Sequence, residues 1–173
     1  MKQYLLVDGY NIINAWNNLI EESKLSLESA RWKLIEIMME YQTYKDISVI
    51  IVFDAHYVKN SIEKHEFYND LEIVFTKEFE SADNYIERYV ASLPKDYNVK
   101  VATSDMTEQF LVLGLGAARV SARELKGEVI EMKRSMDEDY INRNEYNKNL
   151  LGHSLDFNIL QKLEKLRRNN DKA

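Results

Sequence analysis

Three apolar segments of the chain end at or near an aspartate, and this repetition is the strongest chemical signal in the sequence. Asp8 follows YLLV, Asp54 follows VIIVF, and Asp105 follows VKVATS. Two further acids, Glu80 and Asp83 in FESAD, open an amphipathic segment. If the apolar segments are neighbouring parallel strands, their carboxyl ends meet at one edge of the sheet, where open α/β sheets bind ligands.

Carboxylates that meet at one edge repel each other, which raises their pKa values unless a cation lies between them. Hard divalent ions such as Mg²⁺ and Mn²⁺ prefer oxygen ligands of this kind. Asn11 follows Asp8 by three residues and supplies a neutral amide that can orient this aspartate. The set predicts metal-assisted chemistry on phosphate, in which the metal activates a water molecule as the nucleophile.

Each acid also has a purely structural explanation. Asp105 could cap a following helix, with Glu108 completing a capping box. Glu80 and Asp83 could stabilise the positive end of a helix dipole. An aspartate followed by glycine, as at Asp8, suits a turn. None of these explanations accounts for acids at the ends of three separate strands, and this joint placement favours a shared site.

The elements that must position these acids alternate between strands and helices. Apolar and β-branched runs predict strands over residues 3–7, 47–53, 71–75, 99–103 and 118–120. Helical periodicity predicts helices over residues 27–44, 82–93, 105–114, 122–136 and 157–168. We expect loops over residues 8–26 and 56–70 and a linker in the asparagine-rich segment after residue 140. Alternation of this kind is typical of an α/β fold with a mostly parallel central sheet and helices on both faces.

The composition limits the class of protein. The chain has 173 residues and no cysteine, so we expect one compact domain with neither disulfides nor thiolate metal sites. Its first residues lack the apolar run of a signal peptide or membrane span, which predicts a cytoplasmic protein with no membrane partner. GLGAAR lacks the third glycine of a dinucleotide fingerprint, and no Walker loop is present, so no nucleotide cofactor is expected.

The charge of the chain argues against a general nucleic-acid binder. The net charge is −6, whereas phosphate contacts require lysine and arginine. The acids are concentrated before residue 119, however, and the later part could still face RNA. The candidate RNA-binding residues are Arg119, Arg123, Lys59, Lys64 and Lys126. For most of the helix expected over residues 122–136, a solvated surface paired with the interleaved glutamates is the favoured explanation, and Arg119 and Arg123, nearest the strand edge, are the better candidates for phosphate contacts.

Five segments together resemble the YacP-like NYN-domain proteins, a branch of the PIN-like nucleases. They are VDGYNII, VIIVFDAH, FTKEFESADNYIE, VATSDMTEQ and GAARVSARELKGEV, in matching order along the chain. The resemblance implies a PIN-like three-layer sandwich over residues 1–136, followed by a linker and a C-terminal helix over residues 137–173. It also implies a metal-dependent endoribonuclease, because characterised relatives are ribosome-associated enzymes that cut mRNA during translation.

The resemblance assigns roles to individual positions of this chain. The implied catalytic residues are Asp8, Asn11, Asp83 and Asp105. The implied ligands of Mg²⁺ or Mn²⁺ are Asp8, Asp83 and Asp105, and Asp54 and Glu80 match further acidic positions of the same motifs. The expected substrate is single-stranded RNA, with mRNA and the ribosome as partners.

Two other functions fit parts of the sequence. One is a non-catalytic module that binds RNA or the ribosome through a PIN-like fold. The other is a small-molecule phosphatase with an aspartate nucleophile at the edge of the sheet. Such phosphatases typically carry a second aspartate two residues later, where this chain has Tyr10. The nuclease is therefore the favoured function.

Overall fold

A computed structural model describes residues 2–55, 59–105 and 113–154, with side chains described as far as residue 144. The chain divides into two compact units, Met1–Met132 and Lys133–Ala173. All six strands of the sheet lie in the first unit, as do all the acids predicted to form the site. The described part of the second unit is helical backbone that ends at Ser154.

Six strands form one central sheet. They are β1 (Gln3–Asp8), β2 (Ser48–Phe53), β3 (Lys64–Tyr68), β4 (Leu71–Phe75), β5 (Asn98–Ala102) and β6 (Ala118–Val120). Their order across the sheet is β3-β4-β2-β1-β5-β6, and every neighbouring pair is parallel except the antiparallel pair β3 and β4. The mostly parallel α/β sheet predicted from the sequence is confirmed.

Five helices of the described residues connect or follow the strands. They are α1 (Gly9–Ala15), α2 (Asn17–Leu25), α3 (Leu27–Lys45), α4 (Ala82–Ser92) and α5 (Ala122–Ser154). The α4 helix ends just before Leu93 and the only proline, as expected for a residue that disfavours helix before it. A capping box forms at the start of α5, in which the carboxylate of Glu124 accepts the Ser121 backbone N–H at 2.7 Å and the Ser121 hydroxyl accepts the Glu124 N–H at 3.2 Å.

The side chains of the strands alternate between two apolar cores, one on each face of the sheet. Leu5 and Val7 face α1, α2, α3 and the first turns of α5, whereas Leu6 between them faces α4. The strand period of two residues therefore builds a three-layer sandwich. In β2 all five residues from Val49 to Phe53 are buried, as expected for an inner strand covered on both faces.

Three predictions of irregular structure were wrong. Residues 8–26 were expected to form a loop but contain α1 and α2, which bury Ile12 and Leu19, with the buried Trp16 between the two helices. Residues 56–70 were expected to form a loop but contain β3, an edge strand whose charged residues hid its pattern. The asparagine-rich segment after residue 140 continues α5, because asparagine costs only about 0.7 kcal/mol or less in a helix interior.

Two predicted helices fall on residues that the structure does not describe in full. The helix expected over residues 105–114 falls mostly on residues 106–112, and the helix expected over residues 157–168 falls within residues 155–173. Among the helices that are described, none combines the length and apolar character needed to cross a bilayer.

Candidate active site

Asp8 is the last residue of β1, an inner strand that pairs with β2 on one side and β5 on the other. In the register of the sheet Asp8 lies opposite Val52, and Val7 lies opposite Ala102. Asp54 comes directly after the end of β2, and Asp105 comes three residues after the end of β5. The carboxyl ends of the three strands thus bring the three aspartates to one edge of the sheet, as the sequence predicts. The direction of chain progression reverses at β1, which makes this edge the usual ligand crevice of an open α/β sheet.

Asp83 reaches the same edge from a helix. It lies in the first turn of α4, whose N-terminus is capped by the Ser81 hydroxyl, an acceptor for the Asn84 N–H at 3.2 Å. The helix connects β4 to β5 and packs against the face of the sheet that carries Leu6. Because a crossover helix runs antiparallel to its strands, its N-terminus lies at their carboxyl edge.

The charges of three other aspartates act on the carboxylate of Asp8. The pKa of Asp8 is raised from its ordinary 3.8 to about 6, chiefly by burial and in addition by the negative charges of Asp83, Asp54 and Asp105. The Asn11 N–H, which donates to Asp8 Oδ1 at 3.1 Å, acts in the opposite direction. A buried carboxylate that is repelled by the charges of three other acids is a position where a bound cation would be stabilised.

Asn11 connects the loops that follow β1 and β5. Its backbone N–H binds Asp8, and its side-chain Oδ1 accepts the backbone N–H of Ser104 at 2.8 Å. The Ser104 hydroxyl in turn accepts the Ala122 N–H at the start of α5, at 3.3 Å. Asn11 therefore sets the position of the segment that carries Asp105 relative to Asp8. It is a positioning residue in this arrangement, although its backbone N–H contacts Asp8 and its amide binds Ser104, whereas the sequence predicted that the amide would orient Asp8.

Two fully buried threonines shape the loops that carry Asp54 and Asp105. Thr76 follows β4, and its hydroxyl accepts the Ala55 N–H at 2.9 Å. Thr103 follows β5, and its hydroxyl accepts the Asp105 N–H at 3.1 Å. Thr76 was not identified from the sequence, because its partner is a backbone group that follows a different strand and nothing in the local sequence marks it.

Glu80 belongs to a different network. Its Oε1 accepts hydrogen bonds from Arg88 Nε at 3.2 Å and Nη2 at 3.0 Å, and the same Nη2 donates to Glu63 at 2.8 Å. Glu80 is not among the acids that raise the pKa of Asp8. The structure therefore brings together Asp8, Asp54, Asp83 and Asp105, and places the carboxylate of Glu80 in an ion pair.

The predicted RNA-binding cations lie at separate positions: on β3 and the turn before it, on β6 and at the start of α5. Lys64 lies opposite Phe75 at the carboxyl end of β4, and its ammonium group is 2.5 Å from Glu66. Lys59 is exposed in the turn before β3, and Arg119 is exposed on β6. In the first turns of α5, Arg123 is exposed and Lys126 is partly buried. Their contacts with RNA stay a prediction.

Among the described residues, the acidic edge does not form a preassembled metal site. Within the described part of the chain, no three acidic or histidine side chains are arranged to coordinate one ion directly. Mg²⁺ is commonly bound through one or two carboxylates and several waters, so a more widely spaced set of aspartates suits it. The aspartates at this edge offer oxygen donors, which also agrees with Mg²⁺ or Mn²⁺ rather than with a thiophilic metal.

Replacing Asn11 should show whether its side chain positions the segment that carries Asp105. Asn11→Ala leaves the Ser104 N–H without its acceptor, so the segment carrying Asp105 should move and any activity of the site should fall about 10- to 100-fold. Asn11→Asp keeps an acceptor but adds another negative charge beside Asp8, and it should shift the required Mg²⁺ concentration downward, because the extra charge attracts the cation. Initial rates measured across a Mg²⁺ titration test both results. Equal rates and metal dependence in all three proteins would contradict the positioning role.

The strand order, the helical layers on both faces and the acids at the carboxyl edge define a PIN-like α/β fold. Residues 5–168 match the model of the YacP-like NYN domain, so the chain belongs to the YacP-like NYN-domain family. The resemblance stated from the sequence is confirmed. Membership of this family identifies a nuclease-like, RNA-related module.

Relatives described from Bacillus subtilis are similar to the chain over most of its length. The chain is 48% identical over 134 residues to "Uncharacterized protein YacP" of strain 168, covering 77% of this chain and 78% of that protein. Its structure matches the crystal structure of Rae1 (YacP) with a TM-score of 0.69 at 42% identity, covering 98% of this chain and 97% of that chain. The crystal structure of a mutant of Rae1 (YacP) matches with a TM-score of 0.68 at 44% identity, covering 78% and 79% of the two chains.

Proposed function

We propose that the chain is a metal-dependent endoribonuclease that hydrolyses phosphodiester bonds in single-stranded RNA. The observation that carries the proposal is the meeting of four aspartates at the ligand-binding edge of a nuclease-like fold, which is reflected in the raised pKa of Asp8. Such a concentration of negative charge is unfavourable in the free protein and becomes favourable when a divalent cation binds. Membership of the YacP-like NYN-domain family supports RNA as the substrate.

Asp8, Asp83 and Asp105 would hold Mg²⁺ or Mn²⁺, in part through bound waters rather than all directly, and Asp54 lies at the same edge to assist them. The bound cation would lower the pKa of the attacking water and stabilise the negative charge that develops on the phosphate. Hydrolysis of this type leaves a 5′-phosphate and a 3′-hydroxyl. The buried position of Asp8 serves this chemistry, because electrostatic interactions are stronger where water is excluded.

The residues around the aspartates keep the site preorganised. Asn11 fixes Asp8 through a backbone N–H and fixes the Asp105 segment through its side chain. Thr76 and Thr103 hold the loops of Asp54 and Asp105 through their buried hydroxyls. A preorganised site avoids rearrangement during the reaction, which is a large part of electrostatic catalysis.

The expected substrate is mRNA on the ribosome. With a net charge of −6, the chain should bind free RNA weakly and with strong salt dependence. A larger RNA-rich partner would deliver the substrate and supply the missing affinity. Cleavage of free RNA should therefore be slow and should decline as salt is added. Robust sequence-specific cleavage of free RNA at physiological salt would count against the need for a ribosome.

The enzyme is tested by cleavage of a short 5′-labelled single-stranded RNA at low salt. The wild-type chain should cleave in Mg²⁺ or Mn²⁺ and stop when EDTA is added, and Asp83→Asn should lose about 10²-fold or more of the rate. Glu87→Gln is the matched control, because Glu87 is an exposed acid one turn along the same helix. It removes the same charge and should cleave at the wild-type rate.

The same experiment addresses the non-catalytic alternative. A binding module would show metal-independent RNA binding without products, and Asp83→Asn would keep the effect of the wild-type chain in cells. Wild-type protein that yields no product in either metal, with free RNA or with RNA on ribosomes, would overturn the nuclease proposal.

A further inference from the structure

Phe79 combines an exposed ring with an unusual backbone conformation. Its side chain is 84% exposed, in a protein that buries most of its large apolar residues. Its φ angle is 66°, in the left-handed region, which is strained for a bulky L-residue. Backbone strain of this kind persists only where the surrounding structure imposes it, and it is frequent at ligand-binding positions.

The residues on both sides of Phe79 are anchored. The Glu78 N–H donates to the Ser61 carbonyl at 3.0 Å, and the Glu78 carboxylate accepts the Asn60 N–H at 2.8 Å. On the other side, the Glu80 N–H donates to the Lys77 carbonyl at 3.1 Å, which closes a tight turn around the ring. The ring is therefore directed into solvent by a fixed loop.

The loop lies beside the acidic edge. It joins the carboxyl end of β4 to the start of α4, and Asp83 follows Phe79 by four residues. A chain of four residues spans at most about 14 Å, which limits the distance between the backbones of Phe79 and Asp83. The start of the loop is also tied to the segment of Asp54, because the Thr76 hydroxyl accepts the Ala55 N–H at 2.9 Å. Lys77 is also exposed in this loop and offers a positive charge near the ring. An aromatic face and an ammonium group in one loop match an unpaired nucleotide, which has a base and a phosphate.

We propose that Phe79 stacks on an unpaired base of the RNA beside the phosphate that is cleaved. The inference rests on the proposed function and extends it, because it names a residue that binds the single strand by stacking on one of its bases. Stacking requires a base that is free to leave a helix, so Phe79 would select single-stranded over paired RNA at the site. Neither its exposure nor its backbone conformation is visible in the sequence, which is why Phe79 was not among the RNA-binding residues expected there.

Fluorescence of 2-aminopurine in a short single-stranded RNA tests the stacking directly. The full chain is mixed with the RNA in EDTA at low salt, so that binding is measured without cleavage. Wild type should quench the fluorescence, and Phe79→Ala should remove the quenching and weaken binding about 5- to 100-fold. Phe79→Tyr keeps an aromatic face and should stay within about threefold of wild type.

Phe67→Ala is the matched control. Phe67 is 66% exposed on β3 and lies opposite Glu72, away from the carboxyl end of β4. Its loss should leave both quenching and affinity unchanged. Phe79→Asn is a second variant, since asparagine tolerates the left-handed region and should fold with a Tm at least as high as that of wild type while losing quenching.

The outcomes separate this inference from the proposed function. Cleavage and binding by wild type with no effect of Phe79→Ala or Phe79→Asn would overturn the stacking role and leave the nuclease intact. Equal losses in Phe67→Ala and Phe79→Ala would also overturn it. A wild-type chain that shows no binding and no quenching at low salt overturns the stacking role, whereas the nuclease is judged by the cleavage assay.

Discussion

Replacing Asp8 by asparagine should stabilise the metal-free protein at neutral pH and reduce RNA cleavage by orders of magnitude. Asparagine caps a helix as well as aspartate does, so α1 keeps its start. The substitution removes a charge that burial and three neighbouring aspartates disfavour. The gain in the free energy of unfolding is up to about 3 kcal/mol, from a pKa raised from 3.8 to about 6.

The pH dependence follows from the direction of this pKa shift. Between 3.8 and about 6 the folded wild type retains the Asp8 proton more strongly than the unfolded chain, so its stability falls as pH rises through this range. Above about 6 Asp8 is ionised in both states and the penalty is complete. The Asp8→Asn variant lacks this contribution, and its advantage should grow from near zero at low pH to its maximum above about 6.

Urea unfolding in EDTA, measured for both proteins over this pH range, tests the stability. Asp96→Asn is a suitable control, because Asp96 is exposed in the loop before β5. It should shift the stability little and without the same pH dependence. In the cleavage assay, Asp8→Asn should lose about 10²- to 10⁴-fold of the rate. A variant that is less stable than wild type at neutral pH, or that cleaves normally, would contradict this role of Asp8.

Gly9→Ala should destabilise the protein strongly. A Cβ atom at residue 9 would lie 2.3 Å from Phe53 Cε1 and 2.6 Å from Cδ1. The Phe53 ring is fully buried and is held between Tyr10 and Phe75, at centroid distances of 5.1 and 5.6 Å. Because the ring has no space to move, the cost should be about 3 kcal/mol. The displaced backbone carries Asp8, so cleavage should fall as well.

Gly127→Ala is the control for this substitution. Gly127 lies in α5, and an added Cβ would meet nothing within 4 Å. Alanine in place of glycine inside a helix stabilises by about 0.5–1 kcal/mol. Thermal unfolding should therefore show a lower Tm for Gly9→Ala and a higher Tm for Gly127→Ala. Similar changes in the two variants would mean that the close approach of Gly9 to Phe53 does not limit the fold.

The strands and their acids could be predicted well from the sequence because both signals are local. The buried strand β2 reads as an unbroken apolar run, and the aspartate after it is visible at once. Parallel pairing then brings distant acids to one edge as a consequence of topology, without any specific contact. For this reason Asp8, Asp54 and Asp105 could be placed together from their positions relative to the strands.

Contacts between distant residues could not be predicted in this way. The ion pair of Glu80 with Arg88 and the hydrogen bond of Thr76 to the Ala55 N–H depend on how the loops pack. The α1 helix was missed because it begins at Gly9, directly after the last residue of β1, so no linker separates the two elements. The edge strand β3 was missed because its stability comes from pairing with β4 rather than from its own apolar pattern.

The most direct test of the proposed site is the position of Mn²⁺ in crystals of the wild-type chain, located by anomalous scattering. We expect a peak at the carboxyl edge of the sheet, bounded by Asp8, Asp54, Asp83 and Asp105, and no such peak in crystals of Asp8→Asn. A wild-type crystal that binds Mn²⁺ elsewhere and leaves this edge without a peak would contradict the proposed metal site.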